Sequence, residues 1–389
     1  MFRRLPRTVI VLGFVSLFND FSSEMVVPLI PILLATLLAA GPVALGLVEG
    51  VADAVAAFLK LWSGRHSDVL GGRRKPLTLS GYLLSNVTRP LLAAAGSWPV
   101  VLLLRSIDRV GKGLRSAPRD ALVADTTPGH MRGYAYGFHR ALDNGGAVLG
   151  SLVAAGVLAW VSGSIQDVMW LSAIPGATAV ALIALGVKDT RTSPSATAHA
   201  LPPLRWGSLS SAMRRYLVVL GVFTFARASE TFIVLLGHEI GMGVVELLLL
   251  WAVLNLAKAI AATPGGRLAD RIGTSRLIVL GWVAFGVTFM LLGHADRPRA
   301  LWVATILYGL AAGMGEGPER ALIGSMALAD EKGTAFGWYH LMLGLAAVPA
   351  GTIFGSVWHF LGARAAFSYA GTLGLVSAML LHVWVKPKR

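Results

Sequence analysis

Cysteine is absent from these 389 residues, and charge is scarce. The first absence removes disulfides and thiolate metal sites from consideration. Only 14% of the residues are charged while 55% are hydrophobic, and the mean hydropathy is +0.67. A soluble chain with that balance would precipitate, so a lipid bilayer is the expected solvent. Acidic residues are the scarcer sign, 20 against 34 basic ones, for a formal net charge of +14. Nucleic acid is still not the expected partner. The basic residues fall in short clusters between apolar runs, with no continuous basic face interleaved with aromatics. Nucleophile-base signatures, phosphate loops and metal motifs are missing too, so neither an enzyme nor a cofactor is expected. His238 and Met242 stand at i, i+4 without companions and read as ordinary interface residues.

Long apolar runs are what the chain does have. Crossing hydrocarbon takes about 20 mostly apolar residues. Twelve segments qualify: 8–38, 42–63, 76–96, 98–122, 133–161, 167–187, 215–236, 244–263, 276–293, 300–325, 334–358 and 364–385. Turn chemistry at Gly41-Pro42, Ser97-Trp98-Pro99, Pro128-Gly129 and Arg297-Pro298 separates several of them. The first run follows Arg3, Arg4 and Arg7 as a signal peptide would, but its length, Asp20 and Glu24 read as an uncleaved first span. Basic residues gather at the N-terminus, between spans 2 and 3 (Arg65, Arg73, Arg74, Lys75), in the polar interval 188–213, and at Lys386, Lys388 and Arg389. The opposite loops hold only Arg297, Arg299 and Arg364. Positive-inside bias therefore places both termini in the cytoplasm. The expected fold is all-α and integral to the membrane: a six-helix bundle over 1–187, a cytoplasmic linker over 188–213, and a second bundle over 214–389.

The halves repeat one another. Gly64-Arg65-His66-Ser67-Asp68-Val69-Leu70-Gly71-Gly72-Arg73-Arg74 returns as Gly266-Arg267-Leu268-Ala269-Asp270-Arg271-Ile272-Gly273-Thr274-Ser275-Arg276, with Gly, Asp and Gly at the same spacing. Ser23-Glu24 matches Ser229-Glu230, Asp53 falls opposite Asn255, and Pro118-Arg119-Asp120-Ala121-Leu122 matches Pro318-Glu319-Arg320-Ala321-Leu322. The offset drifts only from 206 to 200, which marks parallel six-helix repeats. Two six-helix halves, a central linker and a Gly-x-x-x-Asp-x-x-Gly-x-Arg-Arg junction after span 2 resemble the major facilitator superfamily. That resemblance implies alternating access, with gating by Gly64, Asp68, Gly71, Arg73 and Arg74 and by Asp270 and Arg271 of the second copy. A tight turn in a positively charged loop is the plainer reading of the same residues. Val69 departs from the pattern, where Arg or Lys is usual.

Charges inside the spans cost several kcal/mol, about 2.5–3.5 on insertion scales, and so demand a partner or a function. Asp20 and Glu24 lie one turn apart in span 1, with Asp20 about 18 Å from Thr8 along the axis. They are the candidate proton-coupling carboxylates. In span 4, Arg105, Asp108, Lys112, Arg115 and Arg119 repeat at 3, 4, 3, 4 and form one stripe about 21 Å long. Arg105 fits the family's helix 4 arginine, although Asp108 and Arg109 replace the usual Gln and Gly after it, and it joins the coupling set. Two readings of the stripe stand. In one, Arg105 and Asp108 pair with span 1 acids while Lys112, Arg115 and Arg119 snorkel to the interface. In the other, the stripe attracts an anion. Glu49 and Asp53 are placed to meet Arg89, Arg140 pairs with Asp143 and Arg227 with Glu230 at i, i+3, and Lys60 and Lys258 read as snorkelling. The candidate substrate cavity is Asp53, Asp108, Arg109, Lys112, Asp143, Asn144, Arg227 and Glu230. In span 5, Asn144-Gly145-Gly146-Ala147-Val148-Leu149-Gly150-Ser151 allows close packing but lacks the proline of the family's antiporter signature.

These residues lead to an expected function. The chain reads as a monomeric secondary transporter of the bacterial inner membrane, driven by protons and exporting a small organic solute or drug. Proton-coupled uptake of an organic anion and lipid flipping are the alternatives that the same architecture hosts. The stripe has no counterpart in the second half, where Thr305, Tyr308, Ala312 and Gly315 stand instead. On that ground the first half is expected to handle charge.

Overall fold

Apolar runs that leave water must satisfy their backbone groups internally, and helices do this within one segment. The computed structural model describes residues 5–69, 74–128, 132–161, 163–187, 206–227, 229–326 and 332–385. Side chains at 64–69, 266–267, 270, 316, 320 and some other positions lie outside that description. Among the described residues every regular element is helical. The α-helices are α1 (Arg7–Val26), α2 (Ile30–Ile32), α3 (Pro42–Val69), α4 (Lys75–Leu91), α5 (Trp98–Thr126), α6 (Arg132–Trp160), α7 (Ile165–Leu171) and α8 (Ala173–Gly186). They continue as α9 (Ser211–Ala226), α10 (Thr231–Glu239), α11 (Val244–Ile272), α12 (Thr274–Gly293), α13 (Pro298–Met326), α14 (Lys332–Leu361) and α15 (Ala363–Trp384).

Nine stretches of described helix are long and apolar enough to cross a membrane, from Arg7–Leu37 to Ala363–Trp384. The other three expected spans coincide with α4, α5 and α13, helices of 17, 29 and 29 residues. Of these, α4 and α5 carry the polar faces described below. Two of the nine stretches are locally distorted. Past Val26 the first becomes a 3₁₀ turn over Val27–Leu29 and a π turn over Leu33–Leu37, where Pro28 and Pro31 withdraw amide donors. The stretch Ser211–Glu239 opens at its centre, between α9 and α10.

Contacts divide the chain into two units, Met1–Leu33 with Val55–Leu201, and Leu34–Ala54 with Pro202–Arg389. In the first, α1 packs along α6 and α8, and α4 along α5 and α8. In the second, α9 packs along α14 and α15, and α12 along α13 and α15. These are the same neighbours at equivalent places in the repeat. The first unit's core joins Val9, Leu12 and Val15 of α1 to Tyr82 of α4, Leu122 and Val123 of α5, and Ala179 and Ile183 of α8. The duplication also holds residue by residue in α4 and α12, at an offset of 200: Gly81 and Gly281, Tyr82 and Trp282, Val87-Thr88 and Val287-Thr288. The Thr88 hydroxyl donates to the Leu84 and Ser85 carbonyls at 2.9 and 3.1 Å. Its counterpart Thr288 donates to the Ala284 and Phe285 carbonyls at 2.8 and 3.0 Å.

Glycine sets the closest approach of α1 and α6. A Cβ on Gly146 would collide with the Leu17 carbonyl, and one on Gly150 with the Phe21 carbonyl. Both contacts repeat at i, i+4, so the two backbones lie against each other with no side chain between. Gly146→Val is expected to destabilise the protein by about 1–3 kcal/mol, the usual effect of overpacking. Gly145→Ala, at a position with open space around it, should melt with the wild type in a thermal-denaturation comparison.

Candidate functional site

A polar face on α4 meets the charged stripe of α5. Asp108 is 1% exposed and accepts from Arg89 Nε at 3.1 Å and from Arg105 Nη1 at 3.2 Å. Arg89 Nη1 also donates to the Asn86 side-chain oxygen at 3.0 Å, to the Asn19 side-chain oxygen at 3.1 Å and to the Asn19 carbonyl at 2.9 Å. Asn19 in turn donates from Nδ2 to Asp20 Oδ1 at 2.8 Å. A continuous chain of polar contacts thus runs from Arg105 through Asp108, Arg89 and Asn19 to Asp20. Two turns below Asp108, Arg115 folds inward over the Tyr82 ring, 4.6 Å from its centroid, and donates to Ser85 Oγ at 2.7 Å. The Ser85 hydroxyl donates to the Asp108 carbonyl at 2.9 Å. Arg89, Arg105 and Arg115 are all buried, and sequestered charges of this kind persist only with such partners. Ser16 of α1 donates to Asp143 of α6.

The second unit is built differently at the equivalent places. Arg89, Arg105 and Asp108 have become Phe289, Thr305 and Tyr308, and the Phe289 and Tyr308 rings pack 5.3 Å apart, edge to face. Tyr308 carries its hydroxyl to Glu230 Oε1 at 2.9 Å, and Lys258 Nζ meets Glu230 Oε2 at 2.6 Å. A second ion pair lies beside it: Arg227 reaches Glu319 at 3.5 Å, and Trp282 Nε1 donates to the other Glu319 oxygen at 3.0 Å. Trp282 stacks on Phe223, centroids 4.0 Å apart, and the Arg227 guanidinium lies 5.7 Å from the same Phe223 ring. The two units also differ in exposure. Side chains of Lys258 and Glu230 are 20% and 26% exposed and Arg227 is 38%, against 3% and 1% for Arg89 and Asp108.

Several expectations from the sequence change in the structure. Arg89, expected opposite Glu49 and Asp53, instead holds Asp108, Asn19 and Asn86. Asp108, expected to join span 1 acids and to line a cavity, is enclosed between two arginines of its own unit, one of them one turn away on its own helix. Arg115 does not snorkel; stacking on Tyr82 draws it inward. Arg119, half-buried, pairs with Asp120 at 2.9 Å. Glu230 takes Lys258 and Tyr308 as its hydrogen-bond donors, and Arg227 pairs with Glu319, in place of the local Arg227–Glu230 pair. The break in the helix at this point removes the regular i, i+3 geometry that pairing requires. Lys258 is therefore an ion-pair partner, not a snorkelling residue. The Arg140–Asp143 pair does form, at 3.3 Å. Glu24, Lys112 and Asn144 are half-buried, Arg109 is buried and Asp53 exposed. Gly71 and Arg73 lie outside the described residues, as do the side chains of Asp68 and Asp270 and all but the backbone of Gly64. Arg74 is half-buried at the N-cap of α4, and Arg271 is exposed in the last turn of α11. Tyr82, Ser85, Asn86 and Trp282 escaped the sequence reading, which took Lys258 as snorkelling and Tyr308 only as the counterpart of Asp108. Thr78, Tyr82, Ser85, Asn86 and Arg89 share one face of α4 at helical spacing, the same signal that exposed the α5 stripe.

Apolar helices in two repeated units, with ion pairs set inside them, define a polytopic membrane protein of the transporter type. The Major Facilitator Superfamily family model matches residues 12–257 and 216–389, and the chain belongs to that family. An uncharacterized MFS-type transporter of Methanocaldococcus jannaschii is 29% identical over 387 residues, covering 97% of this chain and 95% of that one. The multidrug resistance protein MdtH of Edwardsiella ictaluri is 24% identical over 350 residues, covering 88% and 82%. The human organic anion transporter MFSD10 (TETRAN) shares the fold, with a TM-score of 0.69 at 21% identity over 96% of this chain and 99% of that one.

Proposed function

We propose that this protein is a proton-coupled secondary transporter that exports a small organic solute or drug by alternating access. Its setting would be the bacterial inner membrane, with the monomer as working unit. The observation that carries the coupling is the chain of contacts ending on Asp20. A half-buried carboxylate near the middle of the first apolar stretch, Arg7–Leu37, is tied through Asn19, Arg89 and Asp108 to Arg105. Protonation of Asp20 would change the net charge at one end of that chain, so a conformational preference of the unit becomes sensitive to the proton. Glu24, one turn further on, is the second candidate carrier. Likeness to multidrug resistance proteins supports export, and the absence of a nucleotide-binding motif in the sequence leaves an ion gradient as the energy source. Asp143, Asn144, Lys112, Arg109 and Asp53 stay in the proposed solute path with Arg227 and Glu230, while Asp108 leaves it for a positioning role. Gating by the two Gly-Asp-Gly junctions remains part of this reading.

Proteoliposomes with an imposed pH gradient test the proposal. Solute should accumulate against its own gradient, and a protonophore should abolish the accumulation. Accumulation that survives the protonophore would reject proton coupling. Accumulation of anionic solutes alone, driven by external rather than internal acid, would favour the runner-up, uptake of an organic anion.

A further inference from the structure

We propose that Glu230, Lys258 and Tyr308 form a binding site for a zwitterionic group, a cationic amine and a carboxylate carried on one solute. The inference rests on the transporter reading above and specifies its substrate class. Three independent features of the second unit converge here. First, α9 ends at Ala226 and α10 begins at Thr231, and the described residues Arg227, Ser229 and Glu230 between them are not helical. Irregular backbone at membrane depth is tolerated only where it is buried in protein or lines a water-filled cavity. The partial exposure of Glu230 and the larger exposure of Arg227 select the second case. Second, α11 presents Leu249, Leu256 and Ile260, all exposed, on one face, whereas Lys258 projects from the opposite face at 100° per residue. The apolar face suits lipid; a lysine ammonium paired with a glutamate does not. Its 20% exposure is therefore to an aqueous path.

Third, the pair is complete without a solute, and that determines what can displace it. Glu230 meets an ammonium at 2.6 Å and a phenol at 2.9 Å. A solute bearing only a cation would take Glu230 and break its 2.6 Å ion pair with Lys258 while offering the ammonium nothing in return. An anion would do the converse. Each removes a close ion-pair partner from one charge without replacing it. A zwitterion exchanges partners with both ends at no change in net charge: its amine goes to Glu230 and its carboxylate to Lys258. The neighbouring Arg227–Glu319 pair is likewise one cation with one anion. Tyr308 remains on Glu230 through the exchange and keeps its carboxylate oriented.

Purified full-length protein in detergent should be titrated with amino acids and dipeptides such as phenylalanylalanine, each beside its N-acetylated and its carboxamide form. Thermal shift and isothermal calorimetry are the readouts. At least one zwitterion is expected to raise the melting temperature, and its two blocked forms to bind at least about tenfold more weakly. Glu230→Gln and Lys258→Met should each weaken the same zwitterion by at least about tenfold. If either variant fails to fold, the comparison of blocked with unblocked ligands on the wild type still decides. Blocked forms that bind as tightly as the zwitterion overturn the proposal, as does a wild type unmoved by every zwitterion in the series. Gradient-driven transport of the fluorescent monocation ethidium with no zwitterion binding would sink this site and leave the transporter reading standing. Loss of all gradient-driven transport would sink the reading beneath it.

Discussion

Asp108→Ala is expected to destabilise the protein by about 3–5 kcal/mol, enough to remove most folded material from the membrane fraction. The size follows from what the substitution leaves behind. Arg89 and Arg105 hold Asp108 at 3.1 and 3.2 Å, and the side chains of all three are at most 3% exposed. Removing the single carboxylate between two buried guanidinium groups uncovers positive charge in a dry interior, and breaking a buried pair in this way typically costs about 3–5 kcal/mol. The other described partners are weaker substitutes: Asn19 and Asn86 offer Arg89 neutral oxygens, and Ser85 already donates to the Asp108 backbone.

The second unit supplies the control. Its equivalents of Arg89, Arg105 and Asp108 are Phe289, Thr305 and Tyr308, and they pack as aromatic and small groups on the same scaffold. Replacing a buried charged set by hydrophobic groups of similar volume is often neutral. The triple variant Arg89→Phe, Arg105→Thr, Asp108→Tyr should therefore recover most of the melting temperature that Asp108→Ala loses. A single substitution that melts like the wild type would mean that water reaches this cluster, and that the charges are solvated rather than enclosed. Recovery of stability in the triple variant without recovery of driven transport would separate the structural role of the charges from their proposed role in coupling.

That comparison also shows which parts of the molecule a sequence exposes. Apolar length placed the helices, because hydrocarbon thickness and the cost of bare backbone leave few other solutions. Duplication was legible in the Gly-Asp-Gly junctions, and the structure repeats it down to the Thr88 and Thr288 hydroxyls. Helical spacing found the α5 stripe for the same reason: one face of a helix is a one-dimensional signal. Pairing was not legible. Arg89 and Asp108 are 19 residues apart in sequence and Lys258 and Glu230 are 28 apart, and nothing local ties either pair together. Counting charges favoured the first unit as the place where charge is handled. Counting could not tell which charges turn inward: Arg89, Arg105 and Arg115 do, Arg140 stays 54% exposed, and Lys258, Glu230 and Arg227 of the second unit stay partly open. Arg115 shows why: stacking on Tyr82 competes with snorkelling, and a sequence window on α5 holds no trace of α4.

Asp20→Asn is expected to abolish gradient-driven accumulation while leaving exchange intact. A carrier that swaps one proton for one solute sustains about tenfold accumulation per pH unit, because a tenfold gradient of either species stores about 1.4 kcal/mol. Asparagine keeps the size of the side chain and an oxygen that accepts from Asn19 Nδ2, the contact seen at 2.8 Å. It cannot release a proton. Solute binding and the conformational change therefore persist, and counterflow of labelled against unlabelled solute should run within about twofold of wild type, whereas the driven ratio falls to simple equilibration. Both measurements are made on the same vesicles, so a fall in counterflow as well would indicate a folding or gating defect and remove the case for Asp20 as the carrier. Driven accumulation that survives in Asp20→Asn but disappears in Glu24→Gln would move the assignment one turn along α1. Survival in both would place the coupling group elsewhere and leave the Arg105-to-Asp20 chain as a purely structural tie between α1, α4 and α5.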